Sequence, residues 1–142
     1  MKKNKFLIFL IISVLIPINS FAALQNKIIV KVEGLTISTY ELKNKIKTTL
    51  ILSNEIINQE NINTNKDSAI NFLINLRLKE QELSNYNIQI DNALLNTQLN
   101  QLTSNNLVNF KKKLINEDLS FEIFKKEIET ELKWQRLIYS KF

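Results

Sequence analysis

Leu119-Ser120-Phe121-Glu122-Ile123-Phe124-Lys125-Lys126-Glu127-Ile128-Glu129-Thr130-Glu131-Leu132 is the stretch whose reading decides the fold of this chain. Phe121, Phe124, Ile128 and Leu132 recur at steps of three, four and four, the spacing of one face of an α-helix. Ser120 stands where an N-cap belongs. Lys125, Lys126, Glu127, Glu129 and Glu131 are expected on the solvent side. Past Leu132 the stripe broadens into Trp134, Leu137, Ile138, Tyr139 and Phe142. A helix that grows more apolar towards its end calls for a partner.

The segments before it carry the same helical signature. Ser38-Thr39-Tyr40-Glu41 is a capping box, with the Ser38 hydroxyl and the Glu41 carboxylate each accepting from the other residue's backbone N–H. Leu42, Ile46, Leu50 and Ile57 mark the buried side of the helix that follows, which is expected to reach about Asn58. Gln59 to Asn65 reads as a polar connection, with Asn65 or Asp67 capping the next helix to about Asn85. Ala69, Ile70, Phe72, Leu73, Ile74, Leu76 and Leu78 cover most of that helix, which places it at the centre of a bundle. Asp91 caps a helix with the narrower stripe Leu95, Leu99 and Leu102. Leu107, Phe110 and Leu114 start a short one that ends near Asp118.

At the other end, Ile28 to Val32 is β-branched and reads as a strand, and Leu35 to Ile37 as a second. Gly34 between them supplies the positive φ of a tight turn. The fold expected is mostly α: a short N-terminal β-hairpin followed by about five amphipathic helices in a compact bundle.

Lys2, Lys3 and Lys5 precede an apolar run from Phe6 to Ile16, closed by Pro17 and by Ser20-Phe21-Ala22 with small residues at the −3 and −1 positions. That is the order of a cleaved secretory signal, with an uncleaved anchor as the alternative. The run is shorter than the roughly 20 residues that span a bilayer. Residues 1–22 are therefore read as a signal peptide and residues 23–142 as one domain, with no stable membrane span after cleavage. Cleavage removes three lysines and no acid, leaving 120 residues with a net charge of +2. So small an excess, with Lys111-Lys112-Lys113 as the one basic run, does not argue for a nucleic-acid partner.

The residue types that are missing exclude function classes. With no His and no Cys, Ser-His-Asp and Cys-His nucleophiles, ordinary zinc sites and a lipid-modified cysteine are ruled out. One glycine cannot build a glycine-rich phosphate loop. No cofactor, metal or catalytic residue is assigned.

The order of these motifs resembles the SurA-like N-terminal domain. The resemblance rests on Ile28-Ile29-Val30-Lys31-Val32-Glu33-Gly34-Leu35-Thr36-Ile37-Ser38 with Glu41-Leu42, and on Ile88-Gln89-Ile90. It is best over Leu107 to Leu137, where Asp118-Leu119-Ser120-Phe121-Glu122-Ile123-Phe124 and Gln135-Arg136-Leu137 carry it. Asp118 stands where that family commonly has glycine. The resemblance implies a periplasmic chaperone that holds unfolded outer-membrane proteins. Many members carry parvulin isomerase domains after this one. Those sites use histidines, so isomerase activity is not carried over and no enzyme is expected. Family members complete the domain with a helix and strand from the far C-terminus, and no such segment is expected here. An apolar groove along the hairpin and the last helix is then expected to stay open, with Trp134, Leu137, Tyr139 and Phe142 as candidates for its rim and plain core packing as the alternative for each. Two readings follow: a non-catalytic holdase, or an interaction module completed by a second copy or by a separately encoded isomerase.

Overall fold

Gly34, at φ +89°, turns strand β1 (Ile28–Val32) back onto β2 (Leu35–Ser38) in an antiparallel pair. The computed structural model describes residues 26–32 and 34–141. The signal-like residues 1–22, Glu33 and Phe142 lie outside them. Lys31 faces Thr36 and Val30 faces Ile37, with an irregularity between Ile28 and Val30 that leaves Ile29 as a bulged residue. Ile37 is fully buried.

Five helices follow among the described residues, and they pack with the hairpin into a compact bundle. Helix α1 (Thr39–Leu52) starts on the capping box foreseen in the sequence: the Glu41 N–H donates to Ser38 Oγ and the Ser38 N–H to Glu41 Oε2 at 2.9 Å. Two stripes of α1 are buried. Leu42, Ile46 and Leu50 form the apolar one, and Asn44, Thr48 and Ile51 the other. The helix stops at Leu52, about six residues before the expected end near Asn58. Asn54 adopts φ +55°, and the N–H groups of Asn54 and Glu55 donate to the carbonyls of Ile51 and Leu50. This is a Schellman closure with asparagine in the left-handed position that glycine usually takes.

Helix α2 (Gln59–Leu83) begins well before Asn65. Asn58 is its N-cap and accepts from the N–H of Asn61 at 2.8 Å. The polar run read as a connection forms two turns of helix. Side-chain bonds from Gln59 to Asn63, Thr64 to the Glu60 carbonyl and Asn65 to the Asn61 carbonyl hold them, and Ile62 is their one apolar anchor in the core. Farther along, α2 packs against α1, the hairpin and the last helix, the central place expected of it. Leu78 is nevertheless exposed.

Asp91 caps α3 (Asn92–Leu102) and Asn106 caps α4 (Leu107–Asn116). Both helices end on Schellman closures, with Ser104 at φ +53° and Asp118 at φ +54°. Leu119, immediately after Asp118, is buried in the same cluster as Leu114, the apolar contact that accompanies this motif. Helix α5 (Phe121–Lys141) starts with Ser120 Oγ accepting from the Ile123 N–H at 3.4 Å.

Two apolar clusters result. One joins Ile37, Leu42, Ile46 and Leu50 to Ala69, Leu73 and Leu76. The other joins Ile51, Leu95, Leu99, Phe110, Leu114 and Leu119 to Phe124 and Leu132, with Phe110 and Phe124 rings 5.1 Å apart. Ile57, expected on α1, sits on the loop after it and packs against both.

Candidate functional site

An open groove of about 520 Å³ runs between the C-terminal end of α2 and α5, with the hairpin at one side. Leu35 reaches it from β2, just past the turn. Glu80, Gln81, Leu83 and Ser84 come from the last turn of α2, and Tyr86 and Ile88 from the loop beyond. Lys126, Thr130 and Lys133, at steps of four and three on one face of α5, form the opposite wall. One side is thus mainly apolar and aromatic, the other cationic and hydroxylic.

Each wall is held from outside the groove. The Ser84 N–H donates to the Glu80 and Gln81 carbonyls and the Tyr86 N–H to that of Leu83, so α2 closes on a tight turn that delivers Tyr86. Arg136 Nη1 donates to the Gln89 carbonyl at 3.1 Å, pinning the loop to α5. Lys141 lies 4.2 Å above the Tyr86 ring and donates to its hydroxyl, which raises the pKa of Lys141. The loop bearing Tyr86 and Ile88 is therefore fastened to α5 at two points.

Behind the groove lies a charge network that ties four elements together. Arg77 donates from Nε to the Thr36 carbonyl at 3.0 Å, from Nη1 to Glu80 at 2.7 Å and from Nη2 to Glu41. Glu80 also meets Lys126 of α5 at 3.2 Å. Lys79 pairs with Glu131, and Lys45 of α1 with Glu127 at 3.0 Å. A cavity of about 50 Å³, room for one or two waters, opens among Glu41, Arg77, Glu80, Lys126 and Glu127.

Glu127 corrects the sequence reading. Expected on the solvent side, it is only 3% exposed, and burial raises its carboxyl pKa above the ordinary 4.5 against the opposing pull of Lys45. Lys45 itself lies 3.4 Å over the Phe72 ring, a cation–π contact. Buried with Glu127 and Thr130 on the same helix, Phe124 and Leu132 keep the inward face expected of them.

The four candidate rim residues do not gather in the groove. Leu137 is buried at 3% exposure, Trp134 is half-buried, Tyr139 is 86% exposed and Phe142 lies outside the described residues. Leu137 and Tyr139 are two residues apart, about 200° around a helix, so one faces inward and the other outward. The groove instead uses Tyr86, Ile88, Leu35 and Thr130, which carry no periodic signal that would have marked them. The Ile88-Gln89-Ile90 alternation was the available hint: Ile88 lines the groove and Ile90 packs on the second core cluster.

No described helix is long and apolar enough to cross a membrane, and no group of three or more His, Cys, Asp or Glu able to hold a metal occurs among the described residues. Comparison of the chain with family models, with curated proteins and with solved structures returns no match.

Proposed function

We propose that this chain is a non-catalytic holdase of the periplasm, which keeps unfolded outer-membrane proteins from aggregating by holding extended segments in the groove between α2 and α5. The observation that carries this reading is the groove itself, open along the last helix with Leu35 of the hairpin at one side, near where the resemblance to the SurA-like domain leads one to look. An extended strand presents successive side chains to opposite sides. One set fits the apolar wall of Leu35, Leu83 and Ile88 with the Tyr86 ring, and the other the polar wall of Lys126, Thr130 and Lys133. The apolar side of such a groove can take many different side chains, while the flexible lysines of the other side adapt to the segment that lies there.

The test uses the chain from Ala23, which contains every residue of both core clusters. An unfolded porin diluted from urea is expected to stay soluble in its presence. Ile88→Asp and Tyr86→Ala are expected to abolish that protection, and melting curves of both variants check that the bundle remains folded. Equal aggregation with and without the protein at stoichiometric excess would sink the proposal. The competing reading, a module completed by a second copy or a separate isomerase, draws on Ile138 and the 86% exposed Tyr139 near the end of α5. A stable dimer in sedimentation that Tyr139→Ala dissolves would move the assignment to the second copy.

A further inference from the structure

Helix α4 offers a second surface that shares no residue with the groove. Its inward face is made by Phe110 and Leu114, both buried. Its outward face carries Val108, 70% exposed, and Ile115, 71% exposed, seven residues apart, with Lys111 and Lys112 between them on the same stripe. Single exposed aliphatic side chains are ordinary on a protein surface; this pair is set apart by the two lysines that lie between them on one stripe. Ile56, also strongly exposed, lies on the loop that shares a crevice with Lys113 and Asn116 at the end of this helix.

Helix α4 sets three lysines in a row, whereas the other lysines without an ion pair on the described helices, Lys43 and Lys66, stand singly. Lys45, Lys47, Lys79, Lys126 and Lys133 each reach a carboxylate of this chain. Helix α4 contains no acidic residue, and among the described residues Lys111, Lys112 and Lys113 form no ion pair. The acid nearest in sequence, Glu117, is held by Lys47 at 2.6 Å, and Glu55 borders the crevice beside Lys113. Lys111 rests over the Phe121 ring at 4.2 Å, which orders its stem without neutralising it.

We propose that the outer face of α4 docks the protein on an anionic lipid surface, with Val108 and Ile115 entering the headgroup layer and Lys111 and Lys112 meeting lipid phosphates. Lysine ammonium groups are point charges that suit a diffuse anionic layer. A defined carboxylate or nucleic-acid site would favour the forked guanidinium of arginine, and α4 has none. A short aliphatic stripe flanked by lysines gives weak, reversible, salt-sensitive attachment and no insertion. This placement does not depend on the groove being a client site.

The experiment is co-sedimentation of the chain from Ala23 with vesicles of phosphatidylcholine alone and of phosphatidylcholine mixed with phosphatidylglycerol. Binding is expected to the mixed vesicles only and to weaken with added salt. Lys111→Glu with Lys112→Glu is expected to weaken it more than tenfold, since each surface lysine contributes about fivefold. Val108→Ser with Ile115→Ser should weaken it at unchanged melting temperature. The exposed pair Lys31→Glu with Lys66→Glu serves as the control and should act less than the α4 pair. No binding to the mixed vesicles, an equal loss in the control, or binding to polyglutamate in place of vesicles would each overturn the proposal, the last in favour of an acidic polypeptide partner.

Discussion

Arg77 donates from Nε to the carbonyl of Thr36 at 3.0 Å, a bond between residues 41 positions apart in the chain. The same guanidinium holds Glu41, whose other oxygen closes the capping box of α1, and Glu80, which faces α5. A two-stranded hairpin is marginal in water, and one side chain here fixes its second strand to two helices. Arg77→Met is expected to cost about 2–4 kcal/mol, because it leaves Glu41 without its cation and the Thr36 carbonyl without its donor, while Glu80 keeps Lys126. Arg77→Lys should recover only part of this, since one ammonium cannot replace the fork. Urea midpoints measure both, and a loss below about 1 kcal/mol for Arg77→Met, the level of a surface pair, would contradict this role.

The Lys45–Glu127 pair predicts a pH dependence with a definite sign. Burial holds the Glu127 carboxyl above its ordinary value, so the folded chain takes up this proton before the unfolded one does. The group's contribution to stability therefore grows as pH falls through the raised folded value, is complete below the unfolded value near 4.5, and is lost as pH rises. Stability curves of the wild type and Glu127→Gln, subtracted, should shift towards the wild type on acidification. Lys45→Met should cost about 3 kcal/mol at neutral pH by stranding a buried carboxylate, and less as pH falls towards the ordinary carboxylate value of 4.5. A penalty that is flat with pH would mean that Glu127 does not titrate as its burial requires.

Helices α1 and α4 end with Asn54 and Asp118 in the left-handed region, at φ +55° and +54°. A Cβ there carries a steric cost that glycine escapes, partly offset by the larger entropy of glycine in the unfolded chain. Asn54→Gly and Asp118→Gly are each expected to stabilise by about 0.5 kcal/mol, while Asp118→Ala destabilises by about 1 kcal/mol. Thermal melts of the three variants would reveal whether the order glycine, aspartate, alanine holds at position 118.

Leu137 and Tyr139 should separate packing from contact. Leu137→Ala opens a buried site and is expected to cost about 2–4 kcal/mol. Tyr139→Ala, at 86% exposure, should stay within about 0.5 kcal/mol of the wild type. A large loss at Tyr139 would show that it is buried in an assembly.

The hairpin, the capping box and the inward stripes of α4 and α5 were legible because each rests on local chemistry: a glycine turn, a serine with a glutamate three residues on, or apolar residues at helical spacing. Of the α3 stripe, Leu95 and Leu99 are buried, but Leu102, at the helix end, is exposed. The first two turns of α2 were not legible, because they extend past the core. Asn58 and the side-chain bonds of residues 59–65 sustain them with Ile62 as the single apolar contact. The early end of α1 was hidden by Ile57, which continues the spacing of Leu42, Ile46 and Leu50 by coincidence and reaches the core from a loop. Glu127 was misread because its partner, Lys45, is 82 residues away. The lining of the groove was illegible for a related reason: its residues come from the second strand of a hairpin, the end of one helix with the loop beyond it, and the middle of another helix.

Ile57 is also the one residue of the loop after α1 that belongs to both apolar clusters. Loss of either cluster removes packing partners of that side chain and is expected to weaken its hold on the other. Native-state hydrogen exchange should then find Leu50 and Leu99, one from each cluster, opening with a common free energy. Such coupling is expected to make the bundle melt as one cooperative unit, with circular dichroism and tryptophan fluorescence reporting the same midpoint.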